Sequence, residues 1–365
     1  MNTQYTLFTE VEPFYTDLLA ALAQAQHEIS MMYFTFDHGE WASKINRILR
    51  VKHASGVRVR LMVDEIGLLV DAPKNAIRNR TMIQDLQLAG IQVDTFRPEG
   101  RRLTQLNRLH IKVCAIDRCT AYIGGSNIGD HYPNWRDSNL RLDGNLGNTL
   151  HQLYDYIYQF SQGTLFLQNL GHRSNPPVRI SALQVGDAQL LLTLPGRRRD
   201  IRRALLDLIL DAEKTITIRS WYFLPDKEIL NALRSQAEDG VNVRILHSDH
   251  TRVRLIDATN YIHGHKLTKS GAQVYRYTER YMHAKVAWND HGDIVFGSAN
   301  MDKAALKNNF ECCLAIHSQA LANALQRAFE VDRRCSTPVI PRTWHNRALP
   351  KQALAYVCSL ASPWL

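Results

Sequence analysis

The alternation of apolar and polar residues predicts the same series of elements twice along the chain. Apolar positions at i, i+3 and i+4 predict a helix, and a period of two predicts a strand. In each round a helical pattern leads into a first strand, a glycine-led second strand follows, and a third strand comes next. The paired segments are 18–34 with 203–223, 56–64 with 240–248, and 89–96 with 270–277. The pattern therefore predicts an α/β fold built from an internal repeat.

The periodicity is interrupted near 172–179, where two prolines and several polar residues occur together. We expect a first half at 1–178, a second half at 179–345 and an apolar tail at 346–365. Each half should be a sheet flanked by helices. The two halves should be related by an approximate two-fold axis.

Each round contains one copy of the pattern His-x-Lys-x-x-x-x-Asp, followed by glycine and asparagine at the same spacing. The first copy consists of His110, Lys112, Asp117, Gly124, Gly125 and Asn127. The second copy consists of His283, Lys285, Asp290, Gly297, Ser298 and Asn300. One His-x-Lys arises readily by chance. Two copies that agree at four polar positions and one glycine predict a functional site.

Strand alternation places the histidine and the lysine of each copy on one face, because residues i and i+2 point the same way. A two-fold pairing would bring two histidines, two lysines and two asparagines around one pocket. Such a pocket is cationic and rich in hydrogen-bond donors, as a phosphoryl group requires. With an ordinary pKa of about 6.5, one histidine can attack phosphorus while another transfers protons. The lysines and asparagines supply the charge neutralisation that a metal would otherwise give, so we expect no metal and no cofactor.

Two carboxylates occupy matching places after the motifs. Asp137 follows His110 in NWRDSNLRL, and Glu311 follows His283 in NNFECCLAI. A carboxylate commonly fixes the ring of a catalytic histidine, so we expect Asp137 and Glu311 to orient the motif histidines. Asp117 and Asp290 end the motif strands, and we assign them a structural role in a turn or a salt bridge.

The composition indicates a globular protein with a basic surface. Hydrophobic residues make up 45% of the chain, charged residues 22%, and the net charge is +9. No apolar run reaches the length of a membrane-spanning helix, and the N-terminus does not have the pattern of a signal peptide. The six cysteines show no metal-binding spacing, and they favour a reducing cytosol. The charge suits nucleic acid or an anionic membrane equally well.

The motifs resemble those of the phospholipase D superfamily, and the chain is similar to bacterial-type cardiolipin synthases. The stretches that carry this second likeness are IGGSNIGDHY, WRDSNLRLDG, RSWYFLPD and GSANMDKAALKNNFE. The resemblance implies a monomer with one active site shared by both halves. It also implies phosphatidyl transfer through a phosphohistidine, with His110 as nucleophile and His283 as general acid and base. It places the pocket mouth at the strand ends Tyr33-Phe34 and Trp221-Tyr222-Phe223.

Several segments are candidates for contact with anionic phospholipids at the membrane surface. The tail 350–365 is apolar nearly all round, with Tyr356 and Trp364 as interfacial anchors. The basic run 195–203 and the arginines Arg101, Arg102 and Arg108 could bind headgroups or simply be solvated. We therefore expect a cytoplasmic protein that associates peripherally with the cell membrane.

Three activities remain open from the sequence. The favoured activity is phosphatidyl transfer from phosphatidylglycerol to a second phospholipid. The second is phospholipase D-type hydrolysis, with water as the acceptor. The third is a nuclease of the same superfamily, which the basic charge favours and the apolar tail does not. Nucleic acid is therefore not the expected partner.

Overall fold

The computed structural model describes residues 3–97, 107–161, 184–251 and 254–340. The chain divides into two compact units. The first comprises Met1–Pro133 and Asn139–Leu190, and the second comprises Asn134–Ser138 and Leu191–Leu365. A five-residue segment that follows the first motif in sequence therefore belongs to the second unit. The predicted boundary at 172–179 and the predicted tail at 346–365 lie outside the described residues.

The first sheet has seven strands in the order β1-β7-β6-β5-β2-β3-β4. Strands β2, β3 and β4 are parallel, whereas β5, β6 and β7 run antiparallel to their neighbours. The bounds are β1 Gln4–Glu10, β2 Glu28–Tyr33, β3 Arg58–Asp64, β4 Gln92–Phe96, β5 Val113–Ile116, β6 Thr120–Gly124 and β7 Arg136–Asp143. The helices of this unit are α1 Val11–Gln24, α2 Glu40–Ala54, α3 Gly67–Val70, α4 Ala76–Leu88 and α5 Leu146–Ser161.

The second sheet has ten strands, nine of them in the order β10-β9-β16-β15-β14-β11-β12-β13-β17, with β8 paired to β9. The first five are β8 Gln184–Val185, β9 Ala188–Leu194, β10 Arg198–Arg199, β11 Thr215–Ser220 and β12 Asn242–Ser248. The others are β13 Gln273–Tyr277, β14 Lys285–Asn289, β15 Asp293–Gly297, β16 Glu311–His317 and β17 Ser336–Pro338. The helices are α6 Asp200–Leu210, α7 Lys227–Glu238, α8 Arg254–Lys269 and α9 Gln319–Arg334, with a π-helical turn at Ala304–Asn308.

The two sheets share one strand order, which confirms the predicted repeat. The series β7-β6-β5-β2-β3-β4 in the first sheet matches β16-β15-β14-β11-β12-β13 in the second, strand for strand. The central strands are buried on both faces; all residues of β5 and β14 are buried. Two-sided burial explains why the middle of each of these strands, Val113–Ile116 and Val286–Trp288, is apolar at every residue.

The motif strands are shorter than the sequence predicts. We expected strands that include His110 and His283, but β5 begins at Val113 and β14 at Lys285. The residue before each histidine bonds instead to a side chain at the end of a strand, Asp64 of β3 or Ser248 of β12. The N–H of Leu109 donates to Asp64 at 2.8 Å, and the N–H of Met282 donates to Ser248 at 3.3 Å. These contacts fix the residue before each histidine.

The helices of the described ranges are all too short or too polar to cross a bilayer. Within the basic run 195–203, helix α6 begins at Asp200, so an acidic residue occupies its first turn. An acid at this place interacts favourably with the helix dipole.

Candidate active site

The motif histidine of the second unit is hydrogen-bonded to a carboxylate. His283 Nδ1 donates to Asp137 Oδ2 at 2.9 Å, and both side chains are buried. The backbone N–H of His283 also donates to the carbonyl of Arg136 at 2.7 Å. Asp137 lies in the segment Asn134–Ser138, so this contact is internal to the second unit. A carboxylate in this position holds the imidazole in one orientation and leaves Nε2 for the reaction.

Two indole rings flank His283. The ring centroids of Trp135 and Trp221 each lie 5.1 Å from the centroid of the imidazole, at interplanar angles of 59° and 55°. Lys285 Nζ lies 6.0 Å from the Trp221 ring and donates to the carbonyl of His283 at 2.5 Å. The indole walls exclude water, and they strengthen every charge interaction at the histidine.

Burial shifts the pKa values of both charged neighbours of His283. Burial lowers the pKa of Lys285 to about 8, although Asp137, Glu311 and Asp302 partly oppose this shift. For Asp137, burial alone would raise the pKa. The charge and hydrogen bond of His283, together with Lys285, more than offset this effect and hold the pKa below its usual range. Asp137 is therefore ionised near neutrality, and the lysine loses its charge above about pH 8.

A buried ion-pair network holds the segment that carries Asp137. Asp332 on α9 accepts from Arg136 Nε at 2.7 Å and from Arg219 Nη2. Arg219 Nη1 also donates to the hydroxyl of Ser138 at 3.3 Å. The two residues beside Asp137 in sequence are thus fixed to β11 and α9. Burial lowers the pKa of Arg219, but the adjacent Asp332 carboxylate opposes that effect.

The asparagine and serine of the second motif belong to a buried polar network. Asn300 Nδ2 donates to Tyr222 Oη at 3.0 Å, and the Tyr222 hydroxyl donates to Asp302. Ser298 Oγ donates to Glu311 Oε2 at 2.5 Å. Gly297 is required by close packing, because a Cβ there would lie 2.4 Å from the carbonyl oxygen of Cys312. The network places Asn300 and Glu311 in rigid positions.

The first motif repeats part of this arrangement. Lys112 Nζ donates to the carbonyl of His110 at 2.8 Å, as Lys285 does to His283. The ring of Phe34 meets the imidazole of His110 edge-on at 5.3 Å, and Lys112 Nζ lies 5.6 Å from that ring. Phe34 directly follows β2, and Trp221 directly follows the matching strand β11. Each unit therefore has an aromatic ring against its motif histidine at the residue that follows the equivalent strand.

The remaining polar residues of the first motif anchor loops. Asn127 Oδ1 accepts from the N–H of Thr35 at 3.1 Å, and the carbonyl of Asn127 accepts from Tyr15 Oη at 2.5 Å. Gly124 pairs with Asn139 in the sheet, and both Gly124 and Gly125 are buried. The loop that carries Asn127 is therefore tied both to α1 and to the end of β2.

The motif aspartates make the same contacts in both units. Asp117 accepts from the backbone N–H groups of Gln26, His27 and Glu28, at 2.7–3.3 Å. Asp290 accepts in the same way from Glu213, Lys214 and Thr215, at 2.9–3.2 Å. The pKa of each aspartate is lowered, since these donors together outweigh the opposing effect of burial. Each aspartate thus fixes the start of the neighbouring strand, β2 or β11, which runs antiparallel to the motif strand.

Strand register makes Asp137 and Glu311 equivalent. Gly124 pairs with Asn139, and Gly297 pairs with Cys313, so each carboxylate lies two residues before the partner of its motif glycine. The structure brings Asp137 to His283. It places Glu311 against Ser298, fully buried. The orienting role of Glu311 toward a histidine stays a prediction.

Sequence reasoning missed Trp135 and Asp332. The tryptophan immediately precedes the Arg136-Asp137 pair, which is a local signal that could have been used. Asp332 lies on α9, far along the chain from Arg136. The one clue to their contact is that Asp332 is a buried acid within an otherwise amphipathic helix, because a buried acid needs a partner.

Potential metal ligands come together at one place among the described residues, where Glu213, Asp290 and His291 approach one another. Glu213 and His291 are exposed, and Asp290 already accepts three backbone hydrogen bonds. The carboxylates near His283 are likewise engaged by His283, Ser298 and Tyr222. The expectation of metal-independent chemistry stays a prediction.

Comparison with known proteins identifies the family. The sequence profile described as "Cardiolipin synthase, PLD-like domain" matches the chain twice, at residues 18–146 and 205–333. The chain belongs to this family. Each matched segment contains one complete motif, and the first also contains Asp137. The second contains Glu311 and Asp332.

Individual relatives agree with this membership in the phospholipase D-like family. "Cardiolipin synthase 1" of Bacillus cereus is 30% identical over 379 residues, which cover 100% of this chain and 73% of the relative. A cardiolipin synthase of Clostridium perfringens is 28% identical and covers 99% of this chain. The crystal structure of phosphatidylserine synthase from Haemophilus influenzae has a TM-score of 0.77 at 17% identity. It covers 99% of this chain and 95% of that one. This structural likeness confirms the α/β fold of two phospholipase D-like halves.

Proposed function

We propose that this protein transfers a phosphatidyl group between phospholipids and makes a cardiolipin-like product. The observation that carries the proposal is the buried His283–Asp137 hydrogen bond beside Lys285, in a chain with two intact motifs. The named relatives are cardiolipin synthases, and a protein of the same fold is a phosphatidylserine synthase. All of these names describe phospholipid synthesis.

The first chemical step forms a phosphohistidine. A ring nitrogen of His110 attacks the phosphorus of phosphatidylglycerol, a P–N bond forms, and the P–O bond to the glycerol headgroup breaks. His283, held by Asp137, gives its Nε2 proton to the departing glycerol oxygen. Asp137 stabilises the imidazolium form of His283 before this transfer, because its pKa keeps it ionised.

The second step returns the enzyme to its starting state. His283 takes a proton from the hydroxyl of a second phosphatidylglycerol, whose oxygen attacks the phosphorus as the P–N bond to His110 breaks. The products are one dimeric phospholipid and one glycerol. Action of both histidines on one phosphorus atom follows from the family resemblance, and it is part of the proposal.

The cations and donors of the motifs neutralise the phosphoryl oxygens. Lys112 and Lys285 each bridge back to the carbonyl of their own histidine, so each ammonium is held beside a reacting ring. The indole N–H of Trp221 is buried and has no acceptor among the described residues. It can donate to a phosphoryl oxygen at the same wall. Donors fixed in a dry site stabilise developing charge strongly.

The proposal also covers the substrate class, the oligomeric state and the cellular location. The donor is phosphatidylglycerol, the partner surface is an anionic membrane, and the active species is a monomer. The protein works on the cytoplasmic side of the cell membrane, peripherally attached. Sedimentation of the purified protein tests the monomer, and fractionation of cells tests the location.

Product analysis tests the activity. The purified protein is incubated with labelled phosphatidylglycerol, phosphatidylethanolamine or single-stranded DNA, and the products are resolved. We expect a dimeric phospholipid, with phosphatidic acid as the minor hydrolytic product. Dominant phosphatidic acid would support the phospholipase alternative. Cleaved DNA with untouched lipid would support the nuclease and overturn the proposal.

A matched pair of variants distinguishes a loss of chemistry from a loss of stability. His283→Ala should abolish product formation, whereas His291→Ala, which changes an exposed histidine on the neighbouring turn, should leave it unchanged. Loss of activity in both variants would mean that the readout follows stability rather than chemistry.

A further inference from the structure

A groove of about 660 Å³ lies between α2 and α4 of the first unit. Its walls include the side chains of Arg47, Arg50 and Val51 from α2, and of Ile77 and Arg78 from α4. Met82 and Leu86 of α4 are buried and form its apolar floor. Neither the motif residues nor the carboxylates discussed above line this groove.

The rim of the groove is cationic. Arg47, Arg50 and Arg78 are exposed, and none of them forms an ion pair or a hydrogen bond with a described residue through its side chain. Asp85 is the one acid that lines the groove, and it leaves an excess of two positive charges among these four residues. The basic run 195–203 differs in this respect, because its Arg198 is paired with Asp200.

Exposed apolar side chains stand beside these arginines. Val51 is 61% exposed, Ile77 81% and Leu88 87%. Ile77 and Leu88 are eleven residues apart on α4, which puts them about 20° apart around the helix axis, on one face. Single exposed apolar residues are ordinary, but Val51 and Ile77 line the groove itself together with the unpaired arginines, which marks a contact surface.

The equivalent helix of the second unit lacks these features. On α2 there are four Lys or Arg residues and one acid, whereas α7 has two of each. Arg234 on α7 lies 3.6 Å from Glu238, and α7 packs against α8. The repeat thus provides an internal comparison: α2 carries an excess of unpaired cations, and α7 does not.

We infer that the groove between α2 and α4 docks the protein on an anionic phospholipid surface. The arginines would contact headgroup phosphates, and Val51, Ile77 and Leu88 would enter the interfacial layer. Two observations argue for a phospholipid surface. The positive charge of the groove complements anionic headgroups, and exposed aliphatic side chains lie beside arginines that have no ion-pair partner. Stacking of nucleic-acid bases would instead favour large aromatic rings, and no Phe, Tyr or Trp lines the groove. The inference rests on the proposed function, because docking on a membrane serves an enzyme that acts on phospholipids.

Vesicle co-sedimentation tests the inference. The full-length protein is mixed with vesicles of phosphatidylglycerol and phosphatidylcholine, or of phosphatidylcholine alone. Each groove arginine removed should lower partitioning onto anionic vesicles about fivefold, because it contacts the membrane surface. The triple variant Arg47→Gln/Arg50→Gln/Arg78→Gln should therefore bind roughly a hundredfold more weakly. Ile77→Ser should weaken binding further and reduce the residual binding that survives high salt.

The matched control is Arg327→Gln/Arg334→Gln on α9. These two arginines are exposed and flank Val331, which is 55% exposed, so the charge change equals that of Arg47→Gln/Arg50→Gln without a groove. The control should change partitioning less than twofold. Equal losses in the two double variants would mean that net charge alone controls binding, and the inference would be wrong. Binding of an oligonucleotide by the groove, with vesicles ignored, would also overturn it.

A soluble substrate separates this inference from the proposed function. The groove variants should turn over short-chain phosphatidylglycerol below its critical micelle concentration at the wild-type rate, and lose activity on vesicles. If the wild type turns over neither substrate, the proposed function fails, while groove-dependent binding would still support docking. Wild-type vesicle binding by the triple variant overturns the docking and leaves the transfer activity intact. Thermal melting of each variant excludes loss of fold.

Discussion

The two copies of the motif share their scaffold and differ around the histidine. Asp117 and Asp290 each tie down the start of a neighbouring strand, and each motif lysine bridges to the carbonyl of its own histidine. In the first unit the ring against the histidine is Phe34. In the second the rings are Trp135 and Trp221, and Asp137 holds the imidazole.

The comparison shows which contacts of the repeat are constrained by folding. Asp117 and Asp290 satisfy backbone donors at the same place in both units, as the fold requires of both. At His283 the buried carboxylate of Asp137 favours the imidazolium form of the ring. The proposed assignment of attack to His110 and proton transfer to His283 follows from the family resemblance.

Removal of either motif histidine should have the largest effect. We expect His110→Ala and His283→Ala each to lower kcat by at least about 10³-fold, since residues that act as a unit are each indispensable. The double variant should be no worse than either single one. Steady-state product formation from phosphatidylglycerol measures this. Additive losses would show that the two copies act separately.

Replacement of the orienting carboxylates should have the next largest effect. Asp137→Asn should keep the fold and lower kcat by about 10²- to 10⁴-fold, because the imidazole loses its preferred tautomer. Glu311→Gln should also lower the rate substantially while retaining the hydrogen bond to Ser298. Thermal melts report the fold, and initial rates report the chemistry. Full activity of Asp137→Asn would contradict an orienting role for Asp137.

The charge of Lys285 predicts a pH dependence. Burial lowers the pKa of this lysine to about 8, so its ammonium is charged below that pH and neutral above it. The rate should fall about tenfold per pH unit above pH 8. In Lys285→Arg this alkaline limb should disappear, although the rate itself drops, because the guanidinium stays charged. An unchanged alkaline limb in Lys285→Arg would assign it to another group.

Chelation should have the smallest effect. Asp137, Glu311 and Asp302 already accept hydrogen bonds from protein side chains, and the lysines supply positive charge. Activity should stay within twofold in excess EDTA. Loss of activity that magnesium restores would contradict the assignment of charge neutralisation to Lys112 and Lys285.

The fold could be predicted from the sequence because it depends on local periodicity. Most of the motif residues could be predicted because they recur at a repeated spacing. The sequence indicated Asp137 and Glu311 as equivalent, which strand register supports. It could not show that Asp137 lies against His283, since that contact joins residues 146 apart in sequence. The predicted strands were also too long at their motif ends, because Asp64 and Ser248 bond the preceding backbone. Tertiary contacts of this kind leave no periodic signal.

The most direct test of the account is to locate the covalent intermediate. The enzyme is mixed with labelled phosphatidylglycerol, quenched within one turnover under alkaline conditions that preserve phosphohistidine, and digested for mass spectrometry. Asp137→Asn, in which the proton relay is impaired, serves to slow turnover. We predict that the phosphatidyl adduct lies on His110 and that none lies on His283. An adduct on His283 would contradict the assigned roles of the two copies, and the absence of any adduct during turnover would contradict covalent transfer itself.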